Sequence, residues 1–217
     1  MSNELIHLVA NAKRTTKVKA YVQTRKQEDN VPLYDSVMIG DLHNILPLLQ
    51  KENVLRYELE VLSHQSAMGL ENFLQFNARI EPGALIRQGV QIDDGAVVLM
   101  GAVLNTGVHI GSDTMVDMNA VIGSGAVIGK RCHIGAGAVI AGMMEPASNQ
   151  PVVIDDDVFV GANAVILEGV HVGRHSVIGA GAVVNKDVEE NSVVAGVPAR
   201  KIKENKTDAW IEKSLRQ

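Results

Sequence analysis

An aliphatic residue falls on every sixth position from Ile80 to Ile140: Ile80, Ile86, Ile92, Val98, Leu104, Ile110, Val116, Ile122, Ile128, Ile134 and Ile140. The beat resumes with Ile154, Val160, Ile166, Val172, Ile178 and Val184. A period of six matches neither the 3.6-residue turn of a helix nor the two-residue alternation of a flat strand. It is the period of a solenoid whose short parallel strands are joined at corners. Four residues after each aliphatic position stands a slimmer column: Ala84, Val90, Ala96, Ala102, Val108, Thr114, Ala120, Ala126, Cys132 and Ala138. The same column continues through Val158, Ala164, Val170, Ser176, Ala182 and Val188. One column fills a core and the other fits beside it. Gly follows many aliphatic positions, as in Ile122-Gly123, Ile134-Gly135 and Ile178-Gly179, where the chain turns a corner. Three hexads make a triangular coil, so the run predicts about six coils stacked at the usual strand spacing of about 4.8 Å.

Such a core accounts for an unusual composition, 46% apolar with only 3% aromatic. A net charge of −5 leaves no basic footprint, so nucleic acid is not an expected partner. No apolar run approaches the roughly eighteen residues that span a membrane. The short apolar stretch from Leu5 to Ala10, broken by His7, makes a poor export signal. These features predict a cytoplasmic protein that neither enters nor crosses a membrane. The single Cys132 sits in the slim column and reads as a core thiol.

Residues 1–72 lack the period. Leu5, Leu8, Val9 and Ala12 predict a helix, Val18, Ala20 and Val22 a strand, and Val37-Met38-Ile39 a second strand. Leu42, Ile45, Leu46 and Leu49 predict another helix, although Pro47 counts against its continuity. The expected organisation is a small α/β N-terminal domain over 1–72 and a mainly β solenoid domain over 73–203. A C-terminal helix around Trp210 and Ile211 is expected over 204–217. Between Ile140 and Ile154 the beat stops in a turn-rich stretch from Gly142 through Glu145-Pro146 to Pro151. That excursion is either a tolerated insertion or a functional loop.

Every third hexad shares a face, so Asp117 stacks between Leu99 and Gly135, with Glu81 one coil further away. Asn119 stacks between Gly101 and Gly137. A carboxylate among apolar and Gly neighbours has room for a ligand; a solvated surface Asp is the alternative. His109 and His133 fall on different faces, so no zinc site within one chain is expected. Gly179-Ala180-Gly181 lies inside the solenoid rather than at a strand-to-helix turn, which argues against a phosphate loop.

Several segments carry a resemblance. They are residues 77–84, Thr114-Met115-Val116-Asp117-Met118-Asn119, residues 135–142, Glu145-Pro146, residues 161–170 and Val194-Ala195-Gly196-Val197-Pro198-Ala199-Arg200. Together they resemble the hexapeptide-repeat acyltransferases, and more narrowly the tetrahydrodipicolinate N-acetyltransferases of bacterial lysine biosynthesis. The resemblance implies a left-handed parallel β-helix, an exception to the right-handed crossover rule. It implies a homotrimer with active sites between subunits, acetyl-CoA as donor and no metal. The acceptor would be tetrahydrodipicolinate, opened by water, and the product L-2-acetamido-6-oxopimelate of the diaminopimelate route.

By the same resemblance Asp117 orients the acceptor or takes its amine proton, with Glu145 as a second acid/base group. Arg79 and Arg87 would bind the acceptor's carboxylates, and Glu81 and Asn119 would complete its site. Backbone at Gly142, Gly161, Ala180 and Gly181 would line the pantetheine arm. Lys186, Arg200 and Lys201 would meet the CoA phosphates. Val165 stands where the succinyl-transferring branch commonly has Glu, which favours acetyl. No histidine base is assigned. The alternatives are another CoA-dependent acyltransferase with a succinyl donor or a sugar amine or hydroxyl acceptor, a γ-type carbonic anhydrase, and a non-catalytic β-helix scaffold.

Overall fold

Each hexad becomes a corner and a two-residue strand whose second residue points inward. The computed structural model describes residues 2–24, 34–144 and 150–206. Strands stack in register, so that Val98, Val116 and Ile134 pair at eighteen-residue intervals. The result is a three-sided parallel β-solenoid of about six turns. Its first face carries Arg79–Ile80, Val97–Val98, Met115–Val116, His133–Ile134, Phe159–Val160 and Val177–Ile178. The same face ends in Ser192–Ala195 and an antiparallel closing strand, Arg200–Glu204. The second face begins at Leu85–Ile86 and the third at Gln91–Ile92.

Both predicted columns are buried: the aliphatic one from Ile86 to Val184 and the slim one from Ala84 to Val188. The hydroxyls in the slim column find partners, as buried polar groups must. Thr114 Oγ1 donates to Gly129 O at 2.6 Å and accepts from Cys132 N at 2.9 Å. Ser176 Oγ donates to Glu189 O at 2.8 Å. Burial pushes the Cys132 thiol up to about 12, as expected of a core thiol. Coil stacking is tight enough to demand Gly at some corners. A Cβ on Gly135 would sit 2.6 Å from Val160 O and 2.7 Å from Ala162 N.

Where the chain rejoins the solenoid after the excursion, two arginines grip consecutive carboxylates. Arg131 donates Nε and Nη2 to the two oxygens of Asp157 at 2.6 and 2.7 Å, and Arg174 reaches Asp156 at 3.3 Å. Burial raises the Asp157 pKa, but the Arg131 hydrogen bonds and the surrounding cations outweigh it and hold the carboxyl below its usual value.

The chain divides into two units, Asn11–Gly69 and Met1–Ala10 together with Leu70–Gln217. The first helix, α1 (Ser2–Asn11), therefore belongs largely with the solenoid, and a Cβ on Gly107 would meet Leu5 Cδ2 at 2.5 Å. In the smaller unit β1 (Lys17–Gln23) lies between β2 (Ser36–Asp41) and β3 (Arg56–Val61), both antiparallel to it. Val18, Ala20 and Val22 pack with Ile45 and Leu49 of α2 (Leu42–Leu49). Contrary to expectation, α2 runs through Pro47. Proline in the last turn of so short a helix forfeits a single N–H bond, while Asp41 caps the other end by accepting from His43 N at 3.0 Å. The sequence reading missed β3. The expected C-terminal helix falls on residues 207–217, outside the described residues; Glu204, inside that predicted span, ends a strand. Among the described residues no helix is long and apolar enough to cross a membrane.

Candidate active site on the first edge of the solenoid

The edge between the first and second faces gathers the polar groups that the repeat does not need. On successive coils its leading corner residue is Glu81, Leu99, Asp117, Gly135, Gly161 and Gly179, while the outward strand residue is Arg79, Val97, Met115, His133, Phe159 and Val177. Asp117 thus stacks between Leu99 and Gly135 as expected. Its Oδ1 accepts from Met118 N at 2.7 Å, which anchors the carboxylate in the turn. Its Oδ2 lies 3.8 Å from His133 Nε2 on the next coil. That gap is too long for a hydrogen bond and short enough for a strong ion pair once the ring is protonated.

The His133 ring is stacked on Phe159, centroids 4.8 Å apart and planes 10° from parallel. Burial pulls the His133 pKa below its usual value, with the Asp117 charge opposing. The imidazole is therefore neutral near pH 7 and able to accept a proton, with a carboxylate placed to stabilise the cation. The sequence reading assigned no histidine base. The signal was there: 133 is 18 residues after 115, so His133 sits over Met115, two residues from Asp117.

Beyond Asp117 the edge turns small: Gly135-Ala136-Gly137, Gly161-Ala162-Asn163, then Gly179-Ala180-Gly181. From Asp117 to Gly179 this furrow runs about 14 Å, three coil spacings. A Cβ on Gly181 would meet nothing within 4 Å, so its backbone is open to a ligand, and Ala180 beside it is exposed. Gly161 is packed instead: a Cβ there would lie 2.5 Å from Ala180 N. Met118 beside Asp117 and Met100 on the preceding coil are exposed at the edge.

The remaining predicted residues separate into three places. Arg79 pairs with Glu81 at 3.4 Å on this same edge, two coils before Asp117. Asn119 is an exposed corner residue of it, at φ 56, with its side-chain oxygen against Gly101. Arg87 lies on the next edge, between the second and third faces, donating to Asn105 Oδ1 at 3.1 Å. Gly142 is there too, pressed against Ser124. One chain does not bring these two residues to Asp117. Lys186, Arg200 and Lys201 do come together, lining a cavity of about 350 Å³ at the last coil with Asp187, Glu189 and Ser192. Lys201 is clasped by Glu204 at 2.7 Å and Glu189 at 2.9 Å, which raise its pKa. Glu145 lies outside the described residues. Of the other histidines, His109 and His171 pair with Asp93 and Asp155, each at 3.0 Å, on the third face. Among the described residues no three of His, Cys, Asp and Glu converge as metal ligands.

A curated relative from Thermosipho melanesiensis, named 2,3,4,5-tetrahydropyridine-2,6-dicarboxylate N-acetyltransferase, is 56% identical over 209 residues, covering 93% of this chain and 90% of the relative. The chain belongs to the tetrahydropyridine-dicarboxylate N-acetyltransferases. A second member of this family, from Lactiplantibacillus plantarum, is 54% identical over 213 residues, covering 94% and 90%. Family profiles agree along the chain. One described as tetrahydrodipicolinate succinyltransferase N-terminal matches residues 1–73. A bacterial transferase hexapeptide profile matches 107–142, and a hexapeptide repeat of succinyl-transferase matches 151–186. Among solved structures, a mutant of perosamine N-acetyltransferase from Caulobacter crescentus, in complex with CoA and GDP-perosamine, superposes with a TM-score of 0.52 at 26% identity, over 58% of each chain.

Proposed function

We propose that this family member transfers the acetyl group of acetyl-CoA to the amine that water-opened tetrahydrodipicolinate exposes, giving L-2-acetamido-6-oxopimelate and free CoA. The observation that carries the reading is the His133–Asp117 pair at the head of a furrow of Gly and Ala. The amine nitrogen attacks the thioester carbonyl, a C–N bond forms and the C–S bond breaks. The His133 imidazole takes the proton from the amine and returns it to the departing CoA sulfur, while Asp117 stabilises the transient imidazolium. The pantetheine arm lies along the furrow past Gly161, Ala180 and Gly181. CoA phosphates meet Lys186 and Arg200 in the end cavity, with Lys201 held in reserve by its two glutamates. Val165 and the names of the relatives favour acetyl over succinyl.

In this reading the acceptor site is completed by a second copy of the chain. The second face presents an apolar row, Leu85, Val103, Val121, Val139, Val165 and Val183. A homotrimer packed on that face would set the Arg87–Gly142 edge of one copy beside the His133–Asp117 edge of the next. A neighbour's Arg87 would then join Arg79, Glu81 and Asn119 around a dicarboxylate. The reaction needs no metal and belongs to a cytoplasmic biosynthetic route. The test is thiol release by the purified full chain with acetyl-CoA and tetrahydrodipicolinate, with the product weighed by mass spectrometry. Acceptor-dependent release and an N-acetyl product are expected. Release with a sugar amine but none with tetrahydrodipicolinate would overturn the assignment.

A further inference from the structure

We propose that Phe159 is a positioning residue for His133: its ring lies flat against the imidazole and fixes the plane from which that imidazole takes the amine proton. The proposal rests on the reading of His133 as the base. His133 and Phe159 are directly opposed partners on neighbouring coils, and their rings are nearly parallel at 4.8 Å. Nothing in the repeat calls for an aromatic there, since the same outward position holds Val97, Met115 and Val177 on other coils. The chain has three phenylalanines, and Phe159 alone falls within the hexad run, because Phe73 and Phe76 precede it.

The imidazole needs such a partner. At 3.8 Å Asp117 makes no hydrogen bond that would set the ring's rotation, and the torsion joining a ring to its side chain is broad. A flat apolar contact narrows it without consuming either ring nitrogen. The groups around His133 by register are Asp117 on the preceding coil and uncharged Phe159 on the following one. The Arg131–Asp157 pair at the far edge of the same face neutralises itself. Phe159 acts on the ring in two opposed ways: cover from water disfavours the cation, while an aromatic face attracts it. Burial lowers the His133 pKa and the Asp117 charge opposes it; the Phe159 ring is part of that cover.

The experiment compares Phe159→Ala, Phe159→Leu and Phe159→Tyr in the full-length protein, measuring kcat, KM for both substrates and the pH dependence of kcat/KM. Phe159→Ala should lower kcat about ten- to a hundredfold with KM for acetyl-CoA nearly unchanged, and should move the acidic limb to higher pH. Phe159→Tyr should restore both. Phe159→Leu keeps apolar bulk without a flat face, so it should fold and still lose kcat even if the Ala variant does not fold. Wild-type kcat in Phe159→Leu, or a kcat loss that Phe159→Tyr fails to rescue, would overturn the proposal. His133→Gln is measured alongside: wild-type turnover there would remove the base reading itself, which separates the two failures.

Discussion

Replacing Asp117 with Asn removes a charge and little else, because the remaining amide oxygen can still accept from Met118 N. What disappears is the attraction between Asp117 and a protonated His133 across 3.8 Å. Unit charges at about that distance attract by about 1 kcal/mol in water and about 4 kcal/mol at the effective dielectric of a protein surface. The two side chains are only 26% and 20% exposed, which puts the loss between those limits. A loss of about 2.7 kcal/mol corresponds to a hundredfold in rate. With both substrates saturating, thiol release by Asp117→Asn should therefore fall about a hundredfold. Its pH profile should shift as well. Asp117 raises the His133 pKa against burial, so without it the pKa drops further and the acidic limb moves to lower pH while the plateau falls. Wild-type turnover, or a limb that moves to higher pH, would refute the role given to this carboxylate.

Other consequences concern the donor site and the solenoid. Glu189→Gln should loosen Lys201, leaving Glu204 as its one remaining partner, and lower the KM for acetyl-CoA about two- to fivefold, the scale of an exposed ion pair, while Lys186→Ala raises it; steady-state kinetics with unchanged acceptor KM would check both. Gly135→Ala should destabilise the solenoid by about 1–3 kcal/mol, since the added methyl meets the next coil's backbone. An unaltered thermal midpoint would show that the coils give way. Asp157 has a depressed carboxyl pKa, so the stability it contributes is full above the ordinary value of 3.8 and lost as pH falls through the lower folded one. Urea midpoints at pH 7, 5 and 3 should therefore decline less steeply for Asp157→Asn than for the parent, from a lower starting point; parallel curves would contradict this.

The solenoid was legible because burial recurs at a fixed chain interval, so the columns from Ile86 to Val184 and from Ala84 to Val188 name their own core. β3 was not: Tyr57, Leu59 and Val61 alternate with Arg56, Glu58 and Glu60, but as an edge strand it is exposed along its whole length, so the alternation marks no buried face. The candidate site was half legible. Asp117 stood out against Leu99 and Gly135, yet His133 is remote from it in sequence and meets it only across the spacing between neighbouring coils. The distance from Asp117 to His133 and the stacking of Phe159 depend on side-chain torsions that spacing does not encode. Lys201 shows the same limit: its basic character was plain, whereas its clasp by Glu189 and Glu204 arises where the closing strand folds back. Asn119, read as a substrate contact, also serves as a left-handed corner residue at φ 56, a conformation Asn tolerates better than most side chains.

The most direct test of the account is the position of CoA in a crystal structure of the full chain with CoA and an acceptor analogue. The account predicts the CoA sulfur and the analogue's amine-equivalent atom beside His133 and Asp117. The pantetheine arm should run along Gly135, Gly161 and Gly179, with the phosphates at Lys186 and Arg200. A CoA bound along the third face, or with its sulfur far from His133, would contradict it.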